Sequence, residues 1–166
     1  MKNKTLQFSS SIIPDIQSLT DWTDSYFTRT KEIVAQNNDI DVTYAIFMRR
    51  PIISAPKIAI NWLENYVAKN TYNFKIELAH EEGKWVGAGD PILFITGPLS
   101  QLVELETIFL MKLGACCVAA YNAFLMVSDL PHTAFVAMDA RHCAGIEMAE
   151  MMAYAASVGS QKGIKK

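Results

Sequence analysis

The run "IFLMKLGACCVAAYNAFLMV", Ile108 to Val127, restricts the possible folds more than any other part of the chain. It is long enough to raise the question of a membrane span. Lys112, Gly114 and Asn122 interrupt it, and Glu104 and Glu106 stand just upstream. Leu102, Leu105, Phe109, Leu113 and Cys116 recur at spacings of three and four, which gives one continuous apolar stripe on a helix. The spacing therefore predicts a long buried core helix and no membrane partner. "GPLS" before it suits a start, with Pro98 in a loop and Ser100 in the first turn.

A helix of that length needs a core around it. With 166 residues, 51% hydrophobic and 19% charged, the chain supplies enough apolar surface for an ordinary globular core. A formal net charge of -2 gives no general attraction for nucleic acid or anionic membranes, so any basic site is local. The opening "MKNKTLQFSSSIIP" lacks the continuous apolar core of a secretory signal, and the expected location is the cytoplasm. Cys116, Cys117 and Cys143 leave an odd thiol under any internal pairing and show no C-x-x-C spacing, so reduced and mostly buried thiols are expected.

Upstream, "SLTDWTDSYFTRTKEIVAQNN" reads as a helix and "VTYAIFM" as a strand, closed by the basic pair Arg49 and Arg50. "APKIAINWLENYVAKN" carries Ile58, Trp62, Leu63 and Tyr66 at amphipathic spacing. The period then changes. "NFKIELAHEEGKWVGAGDPILFITGP" alternates, with turn signals at Glu82-Gly83 and Gly89-Asp90-Pro91, so three short antiparallel strands are expected. After the long helix, "AFVAM" (Ala134 to Met138) has the pattern of a buried parallel strand, and a last helix follows it.

The expected fold is thus α+β passing into α/β. Residues 1–99 form an N-terminal antiparallel sheet domain with helices. Residues 100–166 form the long connecting helix and the first strand-helix unit of an incomplete (β/α) barrel.

Ligand-binding groups in barrels and open α/β sheets sit where strands end, which singles out Asp139, Arg141 and His142. Arg141 suits a carboxylate or phosphate, because its planar fork makes paired charge-assisted hydrogen bonds. The competing reading is an Asp139–Arg141 ion pair that caps the strand. Asp139, His142 and Cys143 could ligate a metal, but no second His/Cys cluster completes a zinc site, and no metal is expected. His80 and His132 each stand alone. "GAGDPILFI" has the strand-turn-strand look of biotinyl and lipoyl carriers without the lysine that they modify. Neither a Walker loop nor a G-x-G-x-x-G occurs.

"TDSYF", "YAIFMRRP", "GAGDPILFITGPLSQLVELET" and "MDARHCAGIEMAEMMAYAASVGS", taken together and in this order, resemble the N-terminal part of nicotinate phosphoribosyltransferases. The resemblance implies a type II phosphoribosyltransferase fold and an enzyme of NAD salvage. Such an enzyme joins nicotinate to 5-phosphoribosyl 1-diphosphate with ATP and Mg, commonly as a homodimer with shared sites. It implies that Tyr26 covers the pyridine ring, that Arg49 or Arg50, Arg50 preferred, meets the diphosphate of the donor, and that Arg141 meets the pyridine substrate. Met138 and Asp139 stand where the family has phenylalanine and glycine. The later barrel strands that carry the family's catalytic histidine, acidic residues and phosphate loops have no counterpart here, so the catalytic residues are unknown. The chain is expected to be inactive alone and to pair with itself or with a complementary C-terminal fragment. Two alternatives stand beside this reading: a non-catalytic remnant serving as an oligomerisation or binding module, and a quinolinate phosphoribosyltransferase-like protein.

Overall fold

The computed structural model describes Leu19 and residues 21–161. Helix α1 (Ser25–Ala35) leads into strand β1 (Asp41–Phe47). The two-residue strand β2 (Ile52–Ile53) precedes helix α2 (Lys57–Asn70). Strands β3 (Lys75–Leu78), β4 (Trp85–Val86) and β5 (Pro91–Pro98) follow. A short helix α3 (Leu99–Leu102) introduces the long helix α4 (Glu106–Asp129), and helix α5 (Ile146–Ser160) closes the described chain after a 3-10 turn at Asp139–His142.

The period-two alternation explains the main sheet. In β1, Val42, Tyr44 and Ile46 face the core while Thr43, Ala45 and Phe47 face out. The sheet has the order β1-β5-β3 and is antiparallel throughout, with β5 in the centre and accordingly the most buried strand. Tyr44 lies opposite Ile95, and Thr43 opposite Thr96 with their hydroxyls hydrogen-bonded at 2.9 Å. The register slips between Ile46 and Phe47, so that Phe47 meets Pro91. Proline lacks the N–H that a regular ladder position needs, and the start of a strand is where it is tolerated. The three strands expected from the sequence form as such, but β4 leaves the main sheet and pairs with β2, Ile52 opposite Val86.

One cluster of buried side chains joins these pieces: Ile46 and Leu93 from the sheet, Trp62 and Leu63 from α2, Leu113, Cys116 and Cys117 from α4, and Ala155 and Val158 from α5. An aromatic chain runs along its edge, Trp62 to Tyr66 to Tyr72 to Phe74, with ring centroids 5.8 to 5.9 Å apart. Helix α4 is long and apolar enough to cross a membrane by length and composition. Its stripe Ile108, Phe109, Lys112, Leu113, Cys116, Cys117 and Ala120 is buried against the rest of the protein, so it is a core helix. Helix α5 lies directly on it. A Cβ at Gly159 would stand 2.0 Å from the Ala120 carbonyl oxygen, so the two backbones approach as closely as glycine alone permits.

The expected strand at Ala134–Met138 does not form: the segment belongs to no ladder, and Val136 and Met138 are 79% and 60% exposed. A parallel strand becomes buried only between neighbours that bond both its edges, and no strand lies alongside it among the described residues. Apolar composition without a ladder partner leaves the backbone solvated. The architecture is therefore a mixed α+β unit with small antiparallel sheets, and no closed barrel occurs among the described residues.

Candidate functional site

Helix α4 ends at Asp129 and is capped by Leu130, whose N–H bonds the Met126 carbonyl at 3.1 Å, and a turn follows in which the Thr133 N–H bonds the Leu130 carbonyl at 3.0 Å. The chain then runs unpaired to the Asp139–His142 turn. Arg141 and His142 are exposed there, and Arg141 takes part in none of the three ion pairs among the described side chains. Its guanidinium is open to solvent. The Asp139 side chain lies outside the described residues, and with it the expected capping pair. Gly145 brings the backbone into α5 at φ 95° and ψ 176°, a conformation essentially confined to glycine. The Ala144 N–H points at the Met148 sulfur at 3.3 Å, and no side-chain oxygen caps the helix.

What holds this corner is a buried charge. Lys112 on α4 is only 7% exposed, and its ammonium donates to the Glu147 carboxylate in the first turn of α5. A buried lysine without a carboxylate would be costly, and the pair ties the middle of α4 to the first turn of α5. From the sequence, Lys112 counted only as an interruption of an apolar run. The legible signal was an acidic residue placed to open the next helix, where an anion also favours the helix dipole.

The other expected site residues lie elsewhere. Arg49 and Arg50 follow β1 in a bend and are both exposed, and the Met48 carbonyl before them accepts the Gly89 N–H at 2.8 Å. Tyr26 is on α1 and 58% exposed, so it is not a core tyrosine. Its hydroxyl donates to Asp24 at 3.4 Å, its ring lies 4.1 Å from that of Phe27, and Thr107 donates to the same Asp24 oxygen at 3.2 Å. Glu106 beside them is held above the usual carboxylate range, first by burial and then by the Asp24 charge. No hydrogen bond or ion pair among the described residues joins Tyr26, the arginine pair and Arg141 to one another. Among the described residues no group of three His, Cys, Asp or Glu could hold a metal ion.

A second polar tie was not anticipated. The Tyr154 hydroxyl on α5 donates to Glu82, in the turn before β4, and accepts the Lys57 N–H at the start of α2 at 3.1 Å. Burial, then Glu82, pushes this phenol well above the ordinary tyrosine range.

Sheet, α2 and the α4–α5 pair define a recognisable class of fold. It is shared with the nicotinate-nucleotide pyrophosphorylase from Francisella tularensis (TM-score 0.67, 19% identity, 86% of this chain and 48% of that one). It is shared also with the nicotinate-nucleotide pyrophosphorylase from Pyrococcus furiosus (0.66, 22%, 91% and 39%) and with human nicotinic acid phosphoribosyltransferase (0.65, 17%, 82% and 34%). The chain spans half or less of the length of these structures. No curated protein matches it in sequence.

The family model described as "Quinolinate phosphoribosyl transferase, N-terminal domain" matches residues 24–117, more than half of the chain, and the chain belongs to that family. This corrects the resemblance to nicotinate phosphoribosyltransferases drawn from "TDSYF", "YAIFMRRP" and the two later segments. Those segments are a helix start, a strand ending in cations, a turn-strand-helix junction and a close-packed helix, which the common fold itself demands. They define the architecture without choosing between the pyridine substrates.

Proposed function

We propose that this chain supplies the N-terminal half of a phosphoribosyl transferase of NAD biosynthesis that acts on quinolinate, a pyridine dicarboxylate. The match of residues 24–117 to the N-terminal domain of quinolinate phosphoribosyl transferases carries the reading. The reaction class is simple in its bonds. The pyridine nitrogen attacks C1 of the phosphoribosyl donor and diphosphate leaves, so the protein need form no covalent intermediate. Catalysis then rests on placing two anionic partners and stabilising the charge that develops between them. The exposed guanidiniums of Arg141, Arg49 and Arg50 are planar cations of the kind that pairs with carboxylate and diphosphate. Phe135, Val136, Met138, Ile146 and Met148, which flank the Arg141 turn in sequence, are exposed apolar residues against which the remaining barrel of such a transferase would pack.

Isotope-labelled chain titrated with quinolinate tests this directly. Amide resonances over residues 139–145 should shift, the shifts should weaken about tenfold or more in Arg141→Lys, and unsubstituted pyridine should leave them unmoved, as follows from losing a bidentate charged pair. Equal responses to quinolinate and pyridine, or an Arg141→Lys variant that binds like the parent, would overturn the assignment.

A further inference from the structure

We infer that Lys112 is a positioning residue for the Arg141 turn, acting from the neighbouring helix through Glu147; the inference rests on the reading of Arg141 as the anion-binding group. Lys112 is the one charged residue buried among the described residues. It lies in the middle of the apolar face of α4, between Ile108 and Phe109 on one side and Leu113, Cys116 and Cys117 on the other. Its ammonium therefore has few directions in which to find a partner, and it meets Glu147, whose own side chain is 41% exposed. Glu147 is two residues beyond Gly145 and six beyond Arg141.

In the corner between them the Gly145 N–H also bonds the Cys143 carbonyl at 3.0 Å. Ala134–Met138 belongs to no sheet, Gly145 supplies no side chain, and the start of α5 has only a sulfur contact in place of an oxygen cap. An ion pair with a buried partner can specify one arrangement even where it adds little net stability, because every alternative placement of α5 strands the lysine charge. Further along α5 the Gly159–Ala120 contact fixes how near the helices come. Lys112 fixes where the first turn of α5 begins, and with it the direction in which the Asp139–His142 turn offers Arg141. A hydrophobic residue at the same position would pack as well without setting that register.

Amide hydrogen exchange on the full chain, free and with quinolinate, separates this role from ordinary core packing. In Lys112→Met, exchange over residues 139–149 should rise about tenfold or more while β1 and β5 keep their protection, as expected of local opening. Glu147→Gln, altered on the exposed side of the pair, should give the same pattern and covers the case in which Lys112→Met does not fold. The double reversal Lys112→Glu with Glu147→Lys should restore protection in part, which a packing role would not do. Unchanged protection over residues 139–149 in the folded variants, or a uniform loss that includes β1 and β5, overturns the inference. If quinolinate perturbs nothing in the parent chain, the functional reading of Arg141 fails, and the exchange pattern still decides whether Lys112 positions the turn.

Discussion

Asp39 shows how one side chain connects segments far apart in sequence. Its carboxylate accepts the Ser100 N–H at 3.2 Å and the Ser100 hydroxyl, while the Leu99 N–H reaches the Ile40 carbonyl at 2.9 Å. The loop before β1 thereby caps the first turn of α3, as an N-terminal capping residue would from within the helix. Charged acceptance from Ser100 holds the Asp39 carboxyl below its ordinary value of 3.8. A group depressed in the folded state binds its proton more readily when unfolded, so its contribution is present above 3.8 and disappears as pH falls through the lower folded value. Asp39→Asn should therefore be less stable than the parent at neutral pH. Denaturant midpoints of the two should converge on acidification. A gap that stays constant into strong acid would show that the charge of Asp39 plays no part. At the same scale, Cys116 and Cys117 are fully buried, with thiols pushed up to about 12 and about 11, chiefly by burial. Their inertness could be read from the apolar run in which they occur.

At the scale of elements, the α4–α5 contact is where the packing is least forgiving. Gly159→Ala would drive a methyl into the Ala120 carbonyl and the Ala123 side chain, neither of which is a flexible chain end. Overpacking of this kind should cost on the order of 1 to 3 kcal/mol, read as a lower denaturant midpoint with unchanged slope. An alanine variant as stable as the parent would mean that the helices separate freely. The helices and β-strands that formed as expected are those whose periodicity is local: α2 with Trp62, Leu63 and Tyr66 on one face, β1 with its alternation, and α4 with the Phe109, Leu113 and Cys116 part of its stripe, Leu102 and Leu105 lying before it. What could not be read there depends on partners distant in sequence. "AFVAM" has strand composition but needs a neighbour for its ladder, and the pairing of β4 with β2 joins residues more than thirty apart through two-residue strands without periodicity. Of the site residues, the exposure of Arg141, Arg49 and Arg50 follows from their charge at the ends of apolar segments. The role of Lys112 does not, because its partner is on another helix.

Seen whole, the apolar core does not divide where the sequence changes from alternation to helical spacing. Ile46, Leu93 and Leu63 from one side share a single cluster with Leu113, Cys116 and Val158 from the other. Such continuity should give one cooperative unfolding transition, with calorimetric and van't Hoff enthalpies in agreement. Two resolved transitions would instead separate the sheet from the α4–α5 pair. The Tyr154 tie, which connects α5 to Glu82 and Lys57, gives that transition an optical signature. Of the six tyrosines, Tyr154 is held well above the ordinary value of 10.0, and Tyr66 is pushed up to about 12. A phenol that ionises more readily in the unfolded chain stabilises the fold below its unfolded value and weakens it as pH rises toward the folded one. In an alkaline ultraviolet titration the exposed phenols should therefore ionise gradually. Tyr154 should ionise only as α5 detaches, so that its tyrosinate absorbance and the loss of helical ellipticity rise as a single curve.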